Sequence, residues 1–190
     1  MDVSEALLRN RSYRRFRQDE RITREDLLKI VDAARLCPSG MNIQPLKFFI
    51  SCDDSTNSVI FRELTWAAFL TQWEGPSEKE RPTGYIVILH DTSISPSYFC
   101  NDGIVAQSMM LRAVELGWGG CMIASIKRER ISEALELPER LKIVMVLALG
   151  KPDETVVLEE MKENNFKYYR DENDVHHVPK RSLDELIINI

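Results

Sequence analysis

Several of the common catalytic signatures are missing from this chain. No Gly-x-Gly-x-x-Gly turn follows a strand-like run, no Gly-Lys-Ser/Thr phosphate loop occurs, and there is no Gly-x-Ser-x-Gly elbow. A dinucleotide-binding Rossmann unit, a P-loop and a hydrolase triad therefore have no support. Histidine is scarce: of three, only His90 lies outside the tail. The four cysteines, Cys37, Cys52, Cys100 and Cys121, form no Cys-x-x-Cys pair. A zinc site is not expected, and reduced, mostly buried thiols in a cytoplasmic setting are. No apolar run approaches the roughly 20 residues of a membrane span, and the acidic, amphipathic N-terminus is unlike a secretory signal. Carboxylate pairs such as Asp53/Asp54 and Glu159/Glu160 sit in polar stretches and read as solvated. Side-chain acid–base or nucleophilic catalysis is not written in this sequence.

What is present is an ordinary globular composition, 44% hydrophobic over 190 residues with a net charge of −5. That suits one domain, and the acidic balance gives no reason to expect nucleic acid. Charge is nevertheless uneven. Arg9, Arg11, Arg14, Arg15, Arg17 and Arg21 crowd one segment between two expected helices. Such a run is either a solvated face or an anion site, and its setting favours the second.

In chain order, a short helix is expected over residues 3–10. Thr23 and Asp26 form a capping box before Leu27, Ile30, Val31 and Ala34 at helical spacing. That helix runs into a turn containing Pro38, Ser39, Gly40, Asn42, Gln44 and Pro45, with Gly40 available for positive φ. A strand follows over residues 46–52. Residues 53–58 read as a polar loop and residues 59–73 as a third helix, whose Trp66, Phe69 and Trp73 serve as core or as a wall over a flat ligand. Residues 74–84 read as a mobile loop, and 85–90 as a strand. The longest helix spans 98–116; apolar nearly all round, it is expected to be buried on more than one side. Strands are expected at 118–124 and at 141–149, the latter central, with a helix near 128–137 between them. A charged arm then leads to a second capping box, Ser182 with Glu185. Intermixed helices and four or five strands, without repeats, indicate an α+β or α/β sandwich with helices on both faces.

The polar residues group into three sets. Arg11, Ser12 and Arg14, with Lys180 and Arg181 from the far end, offer the cations and hydroxyl that a phosphate monoester requires. Ser39, Asn42 and Gln44 offer a hydroxyl and carboxamides for the edge of a heterocycle. The Gly119–Ser125 segment offers main-chain N–H groups that can face a ring. Flavin mononucleotide has both the phosphate and the ring, and as a redox cofactor it explains why no catalytic side chain is evident.

The segments Arg-Ser-Tyr-Arg-Arg-Phe (11–16), Ala-Ala-Arg-Leu-Cys-Pro-Ser-Gly-Met-Asn-Ile-Gln-Pro (33–45), Asp-Gly-Ile-Val-Ala-Gln (102–107), Glu-Leu-Gly-Trp-Gly-Gly-Cys (115–121), Leu-Gly-Lys-Pro (149–152) and Val-Pro-Lys-Arg-Ser-Leu-Asp-Glu-Leu (178–186) together resemble the nitroreductase family. The resemblance implies an α+β fold with a central, mostly antiparallel sheet flanked by helices. It also implies a homodimer with FMN at the subunit interface. Residues 1–190 would form one such domain, with 151–190 as an arm wrapping the partner. Arg11, Ser12 and Arg14 would hold the FMN phosphate, with Lys180 or Arg181 closing over it. Pro38, Ser39, Gly40, Asn42 and Gln44 would reach the flavin of the other subunit. Met122, Ile123, Ala124 and Ser125 would line the ring, with a main-chain N–H near N5. The implied activity is ping-pong hydride transfer from NADH or NADPH through the flavin to a nitroaromatic, quinone or other conjugated small molecule. The alternative is a protein that sequesters or senses FMN without turnover. Residues 53–98 match the family poorly, so the resemblance names no particular acceptor.

Overall fold

The computed structural model describes residues 1–188. The elements run α1 (Val3–Arg9), β1 (Phe16–Arg17), α2 (Arg24–Arg35), β2 (Leu46–Ser51), α3 (Asp54–Arg62), β3 (Gly84–Asp91), α4 (Asn101–Glu115), β4 (Gly119–Ile123), α5 (Arg128–Ala134), β5 (Leu141–Pro152), β6 (Val156–Glu160), β7 (Tyr169–Arg170), β8 (His176–Lys180) and α6 (Leu183–Leu186). The main sheet orders its strands β1-β5-β3-β2, with β4 also paired to β5, and every pairing is antiparallel. As expected, β5 is the hub: it holds β3 along one edge and β4, then β1, along the other.

Side chains alternate across a strand, and here the alternation divides two cores. Ile86 and Ile88 of β3 join Leu147 and Leu149 of β5 beneath α2 and α4. Tyr85, Val87 and Leu89 join Val146 and Ala148 on the opposite face, under Ile60 of α3 and Ile131 of α5. All eight residues of β3 are buried. The near-continuous apolar character of α4 is used here: Val105, Ala106, Met109, Met110, Ala113 and Val114 are all buried. The Thr23–Asp26 capping box starts α2 as expected, and Ser182–Glu185 starts α6.

Three expectations change. Residues 53–58 are not a loop, because Asp53 accepts a hydrogen bond from the Thr56 N–H at 2.8 Å and caps α3 from residue 54. Residues 63–73 are not helical. Their backbone is committed elsewhere: Thr65 N–H donates to Ser125 O at 2.9 Å, and Lys127 N–H to Glu63 O at 2.9 Å. Trp66 is core, Phe69 meets Phe166 and Tyr168, and Trp73 lies under Arg170. Finally, the charged arm is partly ordered as a three-stranded sheet, β6-β8-β7, with β6 and β8 parallel.

Leu147 is fully buried at the centre of the first core. Leu147→Ala should therefore lower stability by about 2 to 5 kcal/mol, read from the midpoint of urea unfolding.

Candidate functional site

Tyr13 packs against β4 because Gly119 carries no side chain there, and Gly120 lets β4 itself lie close on β5. A Cβ on Gly119 would stand 2.7 Å from the Tyr13 ring, and one on Gly120 only 2.2 Å from Ala148 O. The close approach lets Ser12 bridge to Gly120 and Tyr13 N–H donate to Gly120 O at 2.9 Å. Arg14, next in line, is only 8% exposed. Its main-chain N–H donates to the Glu154 carboxylate, which also accepts from Arg15 N–H at 3.2 Å and from Arg170 at 2.9 Å. Its guanidinium has no carboxylate within 4 Å among the described residues. Instead Nη1 donates to Ser12 O and to His176 Nε2, both at 3.2 Å, and the group lies 5.0 Å from the Tyr168 ring centroid.

His176, Val178 and Lys180 alternate along β8 and so share one face. With Arg11, Ser12, Arg14 and Tyr168 they line a cleft of about 240 Å³. Four of the five residues assigned to an anion site thus come together. Arg181 does not line this cleft; it donates to Asn164 Oδ1 at 2.9 Å.

The turn after α2 is built around Asn101, which is 2% exposed at the start of α4. Ser39 Oγ accepts from Asn101 Nδ2 at 3.0 Å and from Gln44 N–H at 2.9 Å, while Gly40 N–H donates to Asn101 Oδ1 at 3.2 Å. Positive φ falls on Met41, Asn42 and Gln44 rather than on Gly40. Pro38, Ser39, Gln44 and Asn101 line a second cavity, also of about 240 Å³, which shares no residue with the arginine cleft. Gly40 and Asn42 are exposed. Of the third group, Ile123 points into the second core and Met122 packs on the first, whereas Ala124 and Ser125 are exposed past the end of β4. Within one chain, the arginine cleft and the turn are separate features.

Comparison with known proteins bears on the same segments. The family model described as "Nitroreductase family" matches residues 7–151. The chain belongs to the nitroreductase family. A Methanothermobacter thermautotrophicus protein provisionally named NADH dehydrogenase/NAD(P)H nitroreductase is 30% identical over 161 residues, 81% of this chain and 79% of its own length. Among solved structures, a nitroreductase family protein from Clostridium novyi superposes with a TM-score of 0.68 at 28% identity, covering 80% of this chain and 87% of that one. An FMN-dependent nitroreductase from Clostridium difficile gives 0.63 at 25% identity, covering 84% and 91%. The α+β fold with its antiparallel sheet is that of the family.

The nitroreductase match ends at Lys151, yet Glu154, Tyr168 and His176, which fix Arg14, all come later. Sequence reading missed these three and Asn101. Only the alternation of His176, Val178 and Lys180 with outward residues carried a signal. His176 accepts from a guanidinium, so it is neutral with its proton on Nδ1. Burial, then Arg14, Arg170 and His177, push its pKa down to about 4. On the other face of β8, His177 is pulled the opposite way, by Asp171 and Glu159.

The unfolded chain protonates His176 near pH 6.5 and the folded chain only near 4, so the unfolded state binds more protons in between. The stability contributed by neutral His176 is complete above about pH 6.5 and is lost as pH falls toward 4. His176→Gln keeps an acceptor for Arg14 without titrating. In thermal unfolding at pH 7 and 4.5, the variant should lose less of its midpoint than the wild type. Equal losses would assign the titration elsewhere.

Proposed function

We propose that this chain is an FMN-dependent oxidoreductase, working as a homodimer, that takes hydride from NADH or NADPH and passes it to a conjugated small-molecule acceptor such as a nitroaromatic or quinone. The observation that carries the reading is Arg14: a nearly buried guanidinium, held in place but left without a carboxylate, in a cleft with Arg11, Ser12 and Lys180. That donor set fits a phosphate monoester. When bound, the flavin supplies the hydride chemistry, which this side-chain inventory lacks.

The protein's part is binding and orientation. Arg11, Arg14 and Lys180 offset the phosphate charge, and the Ser12 hydroxyl adds a donor. Arg181, engaged with Asn164, closes from further out. Neutral His176 and the Tyr168 ring hold the Arg14 guanidinium without cancelling its charge. Ala124 and Ser125 flank the ring, with the main chain of Met122 and Ile123 leading up to it. The exposed pair at the end of β4 is where a main-chain donor can meet negative charge as it develops.

The separation of the two cavities supports the dimer. Pro38, Ser39, Gly40, Asn42 and Gln44 serve a flavin held mainly by the other subunit, so that each site is completed by both chains. Leu183, Leu186, Ile187 and Ile188, at 70, 65, 52 and 83% exposure, give the arm an apolar end suited to covering a partner. On this reading residues 1–190 form one domain, and 151–190 fold first against Arg14 and then reach across.

Purified protein should be yellow and bleach on anaerobic addition of NADH or NADPH. A colourless protein that takes up no FMN overturns the reading, and a yellow one that neither nucleotide bleaches favours sequestration. Arg14→Ala should weaken FMN about 10- to 100-fold while leaving riboflavin affinity nearly unchanged, with Lys180→Ala acting in the same direction. Equal losses for both flavins would show that Arg14 does not meet the phosphate. A monomer with FMN bound, by sedimentation, would remove the shared site.

A further inference from the structure

A third cavity, of about 300 Å³, lies on the α3 face of the sheet, between that helix, the start of β3 and the turn at Glu78–Glu80. Its walls are hydrogen-bonded to one another. Asn57 Nδ2 donates to Thr83 O at 3.0 Å and its Oδ1 accepts from Ser51 at 2.8 Å. Gln18 Nε2 donates to Arg81 O at 2.7 Å, and Arg21 is paired with Asp54.

Two donors are left over. The Tyr85 hydroxyl, on a side chain only 1% exposed, has no hydrogen-bond partner. Arg81 lies with its guanidinium 4.4 Å from the Phe61 ring centroid, and its Nε is buried without an acceptor. Among the described residues no carboxylate stands within 4 Å of that guanidinium. Burial holds the tyrosine in its neutral, donating form. Leaving such donors unmet costs about 1 to 3 kcal/mol each. Water can answer a hydroxyl, but an unpaired guanidinium half-withdrawn from solvent calls for negative charge. The rest of the lining sets how much. Arg21 offsets Asp54, and exposed Glu78 at the rim opposes a multiply charged ligand.

We propose that this cavity is a binding site for a small organic monocarboxylate, one oxygen accepting a hydrogen bond from the Tyr85 hydroxyl and the other from the Arg81 guanidinium. The site shares no residue with the arginine cleft or with the turn cavity, and it stands whether or not the chain binds flavin. A carboxylate there ties β3 to the Glu78–Pro82 segment and to α3, so its binding stabilises the folded state.

The test is thermal unfolding of the full chain in sodium acetate, with equal sodium chloride and the neutral isostere acetamide as controls. At 100 mM, acetate should raise the midpoint by about 2 to 4 °C beyond both controls. Tyr85→Phe and Arg81→Gln should each abolish that rise. Without acetate, Tyr85→Phe should match or exceed the wild type, because it removes a buried hydroxyl with no partner. No rise beyond the controls, or a rise that survives in both variants, overturns the proposal. So does a Tyr85→Phe chain destabilised in chloride and indifferent to acetate, which would mean that water already satisfies the hydroxyl.

Discussion

The site depends on how Arg14 is buried. A guanidinium nearly withdrawn from water normally requires a carboxylate, and the obvious candidate, Glu154, is adjacent. Yet Glu154 is spent on the main-chain N–H groups of Arg14 and Arg15 and on the side chain of Arg170. The Arg14 guanidinium receives a carbonyl, a neutral imidazole and an aromatic face. Each orients it and none neutralises it. The acid fixes the backbone, and the charge stays available to the cleft. A histidine serves in this position only while unprotonated, so the low pKa of His176 is a condition of the arrangement rather than a by-product.

The rest of the fold can be followed outward from that guanidinium. Ser12 and Tyr13 reach it by lying against β4, where Gly119 lacks the side chain that would strike the Tyr13 ring and Gly120 the one that would strike β5. β4 is held by β5, and β5 continues beyond β4 to pair with β1 and lead directly to Glu154. The small sheet then returns β8 to the cleft, with His176 and Lys180 on one face and His177 on the other. That outward face has its own polar anchor, since His177 bonds Glu159 at 3.1 Å and Asp171 at 3.2 Å. Protonating His177 strengthens this face, whereas protonating His176 weakens the other. Mild acid therefore acts on the two sides of one short strand in opposite senses.

Much of this was legible in the sequence where the signal is local. The Thr23–Asp26 box, the apolar run of β3 and the all-round apolar α4 each depend on nearby residues, and each formed as read. That Arg11, Ser12, Arg14 and Lys180 group together was legible because cationic side chains are conspicuous in a sequence. α3 was misread because helical spacing at Val59–Trp73 concerns side chains only; the hydrogen bonds that end the helix at Arg62 come from Ser125 and Glu63 pairing with residues far along the chain. The small sheet was missed because its strands are short and mostly polar, and the sign of interest, alternation about His176, means little until Arg14 is known to face it. Asn101 could not be read at all: a lone asparagine at a helix start has many roles, and its partners are 61 and 62 residues away.

The same hydrogen bonds limit what the turn after α2 can offer to any ligand. Ser39 Oγ already accepts twice, so its hydroxyl can only donate. The Gln44 carboxamide nitrogen is engaged with Asn42 O and Oδ1, both at 3.1 Å. What remains is the Ser39 hydroxyl and the Asn42 amide as donors and the Gln44 carbonyl as an acceptor, the last two on residues held in left-handed backbone. An acceptor and donors on a rigid turn are the complement of a heterocycle edge that presents both kinds of group. Ser39 and Asn101 lock that geometry before any ligand arrives, so the polar groups consumed inside the turn are what make the exposed ones precise.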